Sequence, residues 1–231
     1  MVCIRVSILY HYAVSKNISY VISGGNTATE GVAPPISWEN SAMDSVNLKA
    51  IHKKFGLGKL KNYRTISFFD YYVYYPFFKK MKTIRPLNFI PYNREEAINE
   101  LVEKVGFKEY GRKHGESVFT RFYQNYYLPK KFGFDKRLPH FSTLILTNQM
   151  TREDALNKLK QPLYEDELSL KNDINFFCRK LGINEEEFQK IMNSPSHSYK
   201  EYPTWDVYFR FIKKIQSLYE KISRKRVRNY S

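Results

Sequence analysis

Beyond Gly106 every stretch with a hydrophobic period reads as helix, so any β-sheet in this chain must be built from the residues before it. Helices are predicted at about 116–127, 139–148, 152–160, 167–181, 185–193 and 205–225, where apolar residues recur three and four apart. Thr151 followed by Asp154, and Asn184 followed by Glu187, supply start signals for two of them. Ahead of Gly106 the pattern is mixed. Ile4, Ile8, Leu9, Tyr12 and Ala13 share a helical face, and residues 18–23 form a short apolar strand that stops at Gly24-Gly25. Pro34-Pro35 exclude a helix from the loop at 31–43, and Asp44 can cap a helix running to Phe55. The aromatic block at 67–81 reads as a helix bent by Pro76, and residues 83–87 as a second short strand. Asn93 with Glu96 then opens a helix whose apolar face is Ala97, Ile98, Leu101, Val102 and Val105, closed by Gly106. The expected fold is therefore α/β at the start, residues 1–110, and mostly α-helical over 111–231. A sheet reached through a lone helix and one strand implies further strands upstream.

Composition narrows the class. A hydrophobic fraction of 42%, with 16% aromatic residues, suits a packed globular protein. No apolar run reaches the roughly 18–20 residues of a membrane-spanning helix. The first 17 residues carry Arg5 within their apolar part and no small-residue cleavage site, so they read as a folded helix and not a signal peptide. Two cysteines, Cys3 and Cys178, are too few for a disulfide framework or a zinc site; a reducing cytoplasm is expected and no metal-ligating set is read. The net charge of +15 favours anionic partners, although a codon bias toward Lys and Asn yields the same excess without one. Zinc-finger spacing, RNP-like aromatics and a contiguous basic groove are missing from the sequence, so no nucleic acid is expected. The run at 221–230 reads as a solvated basic tail or as a peripheral contact with an anionic membrane surface.

The turn at Ser23-Gly24-Gly25-Asn26 has the outline of a phosphate-gripping loop, but Thr27 and Ala28 stand where an Asp and a Ser would be required. No apolar-periodic helix is read after it. A second reading fits better: a strand end followed by a tight turn, an amide and a carboxylate, with Gly24, Gly25, Asn26 and Glu30 bordering a nucleotide. The amide can bond base or ribose, and the carboxylate can help hold a metal–phosphate group.

The longest distinctive stretch is GRKHGESVFTRFYQNYYLPKKFGFDKRLPHFSTLILTNQMTREDAL, residues 111–156. It resembles the N-acetyl sugar amidotransferases of lipopolysaccharide and surface-glycan biosynthesis, and the likeness extends to GGNTATEG, AIHKKFG, KQPLYEDEL, KLGINEEEF and IMNSP, while TIRPL resembles the R-P-L strand end of the wider superfamily. The resemblance implies an ATP pyrophosphatase related to asparagine synthase, with a partial adenine-nucleotide-hydrolase-like parallel sheet followed by a helical region. It implies ATP and Mg2+ as cofactors, a nucleotide-activated N-acetyl sugar as substrate, and ammonia from glutaminase and ammonia-channelling subunits. The acetamido group would become acetamidino. Members carry an S-G-G-K-D-S loop in an upstream segment, so this chain is expected to be the C-terminal portion, working with an N-terminal loop-bearing segment or chain.

On these positions Lys113, His114 and Glu116 are the expected catalytic residues, to counter adenylate charge and move protons. Arg121, Gln124, Lys136, Arg137 and His140 are the expected substrate-binding residues, with interhelical ion pairing as the alternative for the arginines. Phe119, Phe122, Tyr123, Tyr126 and Tyr127 read as core before sugar platform. The competing functions are an RNA-modifying or nucleic-acid-binding relative and a catalytically silent scaffold.

Overall fold

The computed structural model describes residues 2–35, 38, 41, 43–108, 117–164 and 166–223. In chain order the elements are α1 (Val2–Ser15), β1 (Tyr20–Ile22), α2 (Thr27–Glu30), α3 (Ser45–Phe55), a π-helical segment (Asp70–Phe78) and β2 (Lys82–Ile84). After a 3-10 turn (Pro86–Asn88) come α4 (Arg94–Val105), α5 (Val118–Phe122), a second π segment (Tyr123–Tyr127), α6 (Leu128–Phe132), α7 (Arg137–Leu146) and α8 (Arg152–Lys160). The remainder is α9 (Glu167–Leu181), α10 (Glu185–Asn193), a 3-10 turn (Tyr199–Glu201) and α11 (Asp206–Ser223). The described residues are mostly helical, with a single two-stranded parallel sheet pairing β1 with β2.

The chain divides into two units built from discontinuous segments. The first comprises Met1–Val21, Glu39–Ile84 and His197–Ser231. Its core is Ala13 of α1, Ile66, Tyr75 of the π segment and Met81, with Tyr10, Val21, Tyr71 and Tyr74 packed around them. Burial, with the charge of Asp70 next in effect, pushes the Tyr75 phenol up to about 12. A polar knot fixes the rest. One oxygen of Asp44 caps α3 by accepting from Val46 N and Asn47 N, while the other accepts from Trp205 N at 2.6 Å. Asn47 Nδ2 in turn donates to the carbonyls of Tyr199 and Pro203. The Trp205 ring is fully buried against Phe68 and Tyr72, so α11 is anchored through its first turn.

The second unit comprises Ile22–Trp38 and Arg85–Ser196. Phe122, Cys178 and Phe188 form its core, ringed by Tyr126, Tyr127, Ile174, Phe177, Ile183 and Met192. Cys178 is thus a core thiol, and burial raises its pKa. Helices α5 and α6 are one continuous rod through the second π segment, where Leu128 N–H bonds back to Tyr123 O. Gly133, at φ +71°, ends the rod in a left-handed turn.

Both π segments accompany a proline inside a helix, Pro76 in the first and Pro129 just after the second. Proline lacks an N–H and its ring collides with the carbonyl four residues back. Widening the turn by one residue moves that carbonyl away without breaking the helix. The expected bend at Pro76 is thus a nine-residue π segment, and the helix expected over 116–127 runs on to Phe132.

Candidate functional site

The segments that follow the two parallel strands meet. After β1 the chain runs Ser23-Gly24-Gly25-Asn26 into α2; after β2 it runs Arg85-Pro86-Leu87-Asn88. Thr27 donates to Asn88 Oδ1 through its backbone N–H at 2.8 Å and its hydroxyl at 3.3 Å. A Cβ built on Gly25 would lie 3.6 Å from Glu30 Oε2 and 3.9 Å from Arg85 Nε, so a carboxylate and a guanidinium converge on that glycine's backbone. At Gly24 a Cβ would meet nothing within 4 Å, and neither glycine has positive φ. Their backbone geometry therefore does not demand glycine. What they provide is an open main chain flanked by charge, at the carboxyl ends of parallel strands, where α/β sheets characteristically bind ligands.

Asn26 is the N-cap of α2: its Oδ1 accepts from Thr29 N at 2.8 Å and from the Thr29 hydroxyl at 3.1 Å. Those bonds leave its Nδ2 as the side-chain donor. The single helical turn that Asn26 starts carries Glu30, and α7 supports it from behind. Thr147 Oγ1 and Gln149 Nε2 both donate to Ala28 O, at 2.9 and 3.0 Å. Gln149 Oε1 accepts from Arg94 N at 2.9 Å, tying the same hub to the start of α4. Thr143 Oγ1 accepts from Val32 N at 3.0 Å and donates to Pro139 O. A Cβ on Gly31 would come within 2.6 Å of Thr27 O and 3.7 Å of the Thr143 methyl, so glycine is sterically required there. His140 sits one turn before Thr143 on the α7 face that also carries Thr147. The expected substrate residue His140 and the expected nucleotide residues Asn26 and Glu30 therefore lie on two elements that pack together.

The two arginines expected to hold substrate are engaged with protein groups. Arg121 makes a bidentate pair with Asp173, Nε to Oδ2 at 2.7 Å and Nη2 to Oδ1 at 2.6 Å, and Tyr164 donates to the same carboxylate at 2.9 Å. The bond to Asp173 holds the Arg121 pKa up, and burial followed by Asp173 raises that of Tyr164. Arg137 pairs with Asp135 and directs its remaining N–H groups to the carbonyls of Lys158, Leu159 and Gln161, closing the end of α8. Gln124 lies half-buried in the second π segment, and Lys136 stands at the N-cap of α7. Lys113, His114 and Glu116 lie outside the described residues. Among the described residues no group of three or more His, Cys, Asp or Glu could hold a metal on its own.

Several groups of this arrangement escape a reading by motif. Arg85 and Asn88 follow a strand of only three residues. Asp173 and Tyr164 lie in the sequence 52 and 43 residues from Arg121. Thr147 falls within the helix expected over 139–148 and Gln149 just past its end, and neither carries a motif of its own. The one local hint was the Arg-Pro pair at the end of β2, which stops the strand where the β1 turn arrives.

Residues 116–216 match the family model described as "LPS biosynthesis protein WbpG-like, C-terminal domain". The matched stretch holds α5 to α10 and the first part of α11, including the Arg121–Asp173 pair and the α7 hub. No curated protein and no solved structure matches the chain significantly.

Proposed function

We propose that this chain forms one wall of the nucleotide site and the helical substrate region of an ATP-dependent amidotransferase, acting in lipopolysaccharide O-antigen or surface-glycan biosynthesis. Its substrate would be a nucleotide-activated N-acetyl sugar whose acetamido group becomes acetamidino. The observation that carries this reading is the convergence of Gly25, Glu30 and Arg85 beside the ends of two parallel strands, in a chain whose residues 116–216 match a lipopolysaccharide-biosynthesis family model. ATP supplies the adenylyl group that turns the amide oxygen into a leaving group.

The residues fit such a nucleotide as a flank and not as its grip. The open main chain at Gly24 admits close approach, Arg85 offsets phosphate charge, and Asn26 Nδ2 can bond ribose or base. Glu30 is the carboxylate that would share Mg2+; without a self-sufficient ligand set among the described residues, the ion would arrive on the phosphates. His140, with Lys136 on the first turn of α7, would orient the sugar, and Lys113, His114 and Glu116 would stabilise charge and move the proton released by incoming ammonia. Arg121 and Arg137 hold helices in place in this reading, and Gln124 remains a candidate sugar contact. The pyrophosphate-gripping loop would come from an upstream segment or separate chain, and ammonia from glutaminase and channelling subunits, in the cytoplasm.

The test combines purified chain, ATP, a UDP-linked N-acetyl sugar and ammonium, with and without the loop-bearing segment. AMP and the amidine are expected only when the segment is present, and Arg85→Ala should lower turnover about tenfold or more, in line with loss of one charge-stabilising donor. A combined preparation that yields neither product sinks the proposal.

A further inference from the structure

Helix α11 shows an apolar face that nothing in its unit covers. Trp205 and Phe209 turn inward, with Phe209 against Phe68 at 5.1 Å and Tyr72 at 5.5 Å. Beside that inward face, Val207, Phe211, Ile212, Ile215, Leu218 and Ile222 are 43–76% exposed. Their spacing places all six on one broad stripe, wider than the narrow seam a partner helix in a coiled coil would need. Arg210, Lys214 and Lys221 form a row along one border of that stripe, and Lys213 lies behind it. From Asp206 to the chain end the sequence has eight Lys or Arg against two acids.

A helix with an exposed apolar stripe and a cationic border has the two properties of a segment that lies in the plane of a bilayer interface. The apolar side chains enter the acyl boundary, while long Lys and Arg stems reach back to lipid phosphates. No described helix is long and apolar enough to cross a membrane, so the association would be peripheral. We infer that α11 docks the chain on an anionic lipid surface, with the stripe from Val207 to Ile222 immersed and the Arg210–Lys214–Lys221 row on the headgroups. Charge complementarity selects the occupant. A neutral protein partner would cover the stripe but leave the cationic border unmatched, and the +15 net charge adds long-range attraction toward an anionic surface. This inference is independent of the amidotransferase reading.

The experiment is co-sedimentation of the full chain with vesicles of phosphatidylcholine alone and of phosphatidylcholine mixed with phosphatidylglycerol. Binding is expected only to the mixed vesicles and should weaken as salt rises. Ile215→Asp with Leu218→Asp should reduce partitioning about tenfold or more, because charges would have to enter the apolar boundary. A second variant, Lys214→Gln with Lys221→Gln, should weaken it about fivefold per cation removed. Far-UV circular dichroism should show both variants as helical as the parent, since the altered side chains are exposed. Mixed-vesicle binding that survives the double Asp variant would mean that charge alone attracts the chain, and overturns the docking of α11. The inference also fails if the parent does not bind, or if it is a dimer that the Asp variant converts to monomer.

Discussion

Asp173 shows how a single buried carboxylate can decide what its neighbours are for. Its side chain is 5% exposed and accepts two N–H groups of Arg121 and the Tyr164 hydroxyl. Burying a carboxylate at that depth is costly without a counter-charge, and the bidentate guanidinium supplies one. Asp173→Ala would leave the partly buried Arg121 without its counter-charge. Because the Arg121 side chain is about one-third exposed, the expected cost lies at the lower end for a broken buried pair, about 3 kcal/mol. Tyr164→Phe removes one hydrogen bond and should cost about 1 kcal/mol. Thermal unfolding of both variants, with and without nucleotide sugar, measures this. A loss that appears only in the presence of substrate would return Arg121 to the binding site. Gly31 makes the same point sterically, for a Cβ there would collide with Thr27 O at the start of the same short turn.

At the scale of elements, helix ends were legible because capping chemistry is local. Asp44, Asn93, Thr151 and Asn184 each cap a helix in the structure through the side-chain oxygen that their residue type supplies, and Gly106 and Gly182 close helices in the left-handed region. What stayed hidden lacks a period or a neighbour. The turn α2 is four residues long, too short to show a repeat, so the capping role of the Asn26 side-chain oxygen did not show beside the ligand role read for its amide. The π segments escape a search for 3.6-residue spacing, and the partners of Arg121 and Arg137 lie on other helices. Lys131 is a further case, since its partners lie some 60 residues away in the sequence. Its Nζ donates to Ile191 O, to Ser194 O at 2.9 Å and to Ser194 Oγ at 3.0 Å, closing the C-terminus of α10 where the helix dipole is negative. Lys131→Met keeps the stem and removes the charge. It should cost about 1–2 kcal/mol and speed amide exchange in the last turn of α10 while α9 is unaffected. Unchanged exchange at 190–194 would show that the capping bonds contribute nothing.

For the molecule as a whole, the contrast lies in how completely each part is covered. In the second unit the α5–α6 rod, α9 and α10 share a closed core around Phe122 and Phe188, which are 1% and 0% exposed. The sheet is different. All three residues of β2 are exposed, Tyr20 and Ile22 of β1 are exposed, and the apolar face read for α4 leaves Leu101, Val102 and Val105 open. Parallel strands are rarely stable as a pair, because they depend on neighbouring strands and on helices covering both faces. The amphipathic pattern of α4 therefore records a packing demand that the described residues do not meet. The proposed upstream nucleotide-binding segment would meet it by adding strands beside β1 or β2 and burying α4. Hydrogen exchange on the chain alone should find amides of α5, α9 and α10 protected, and those of β1, β2 and α4 exchanging at least about tenfold faster, because low burial sets a low opening free energy. Adding the loop-bearing segment should slow exchange in β1, β2 and α4 and leave the helical core unchanged. Strands already as protected as α9 in the chain alone would mean that the pair is self-sufficient, and the case for a sheet-completing partner would fall with it.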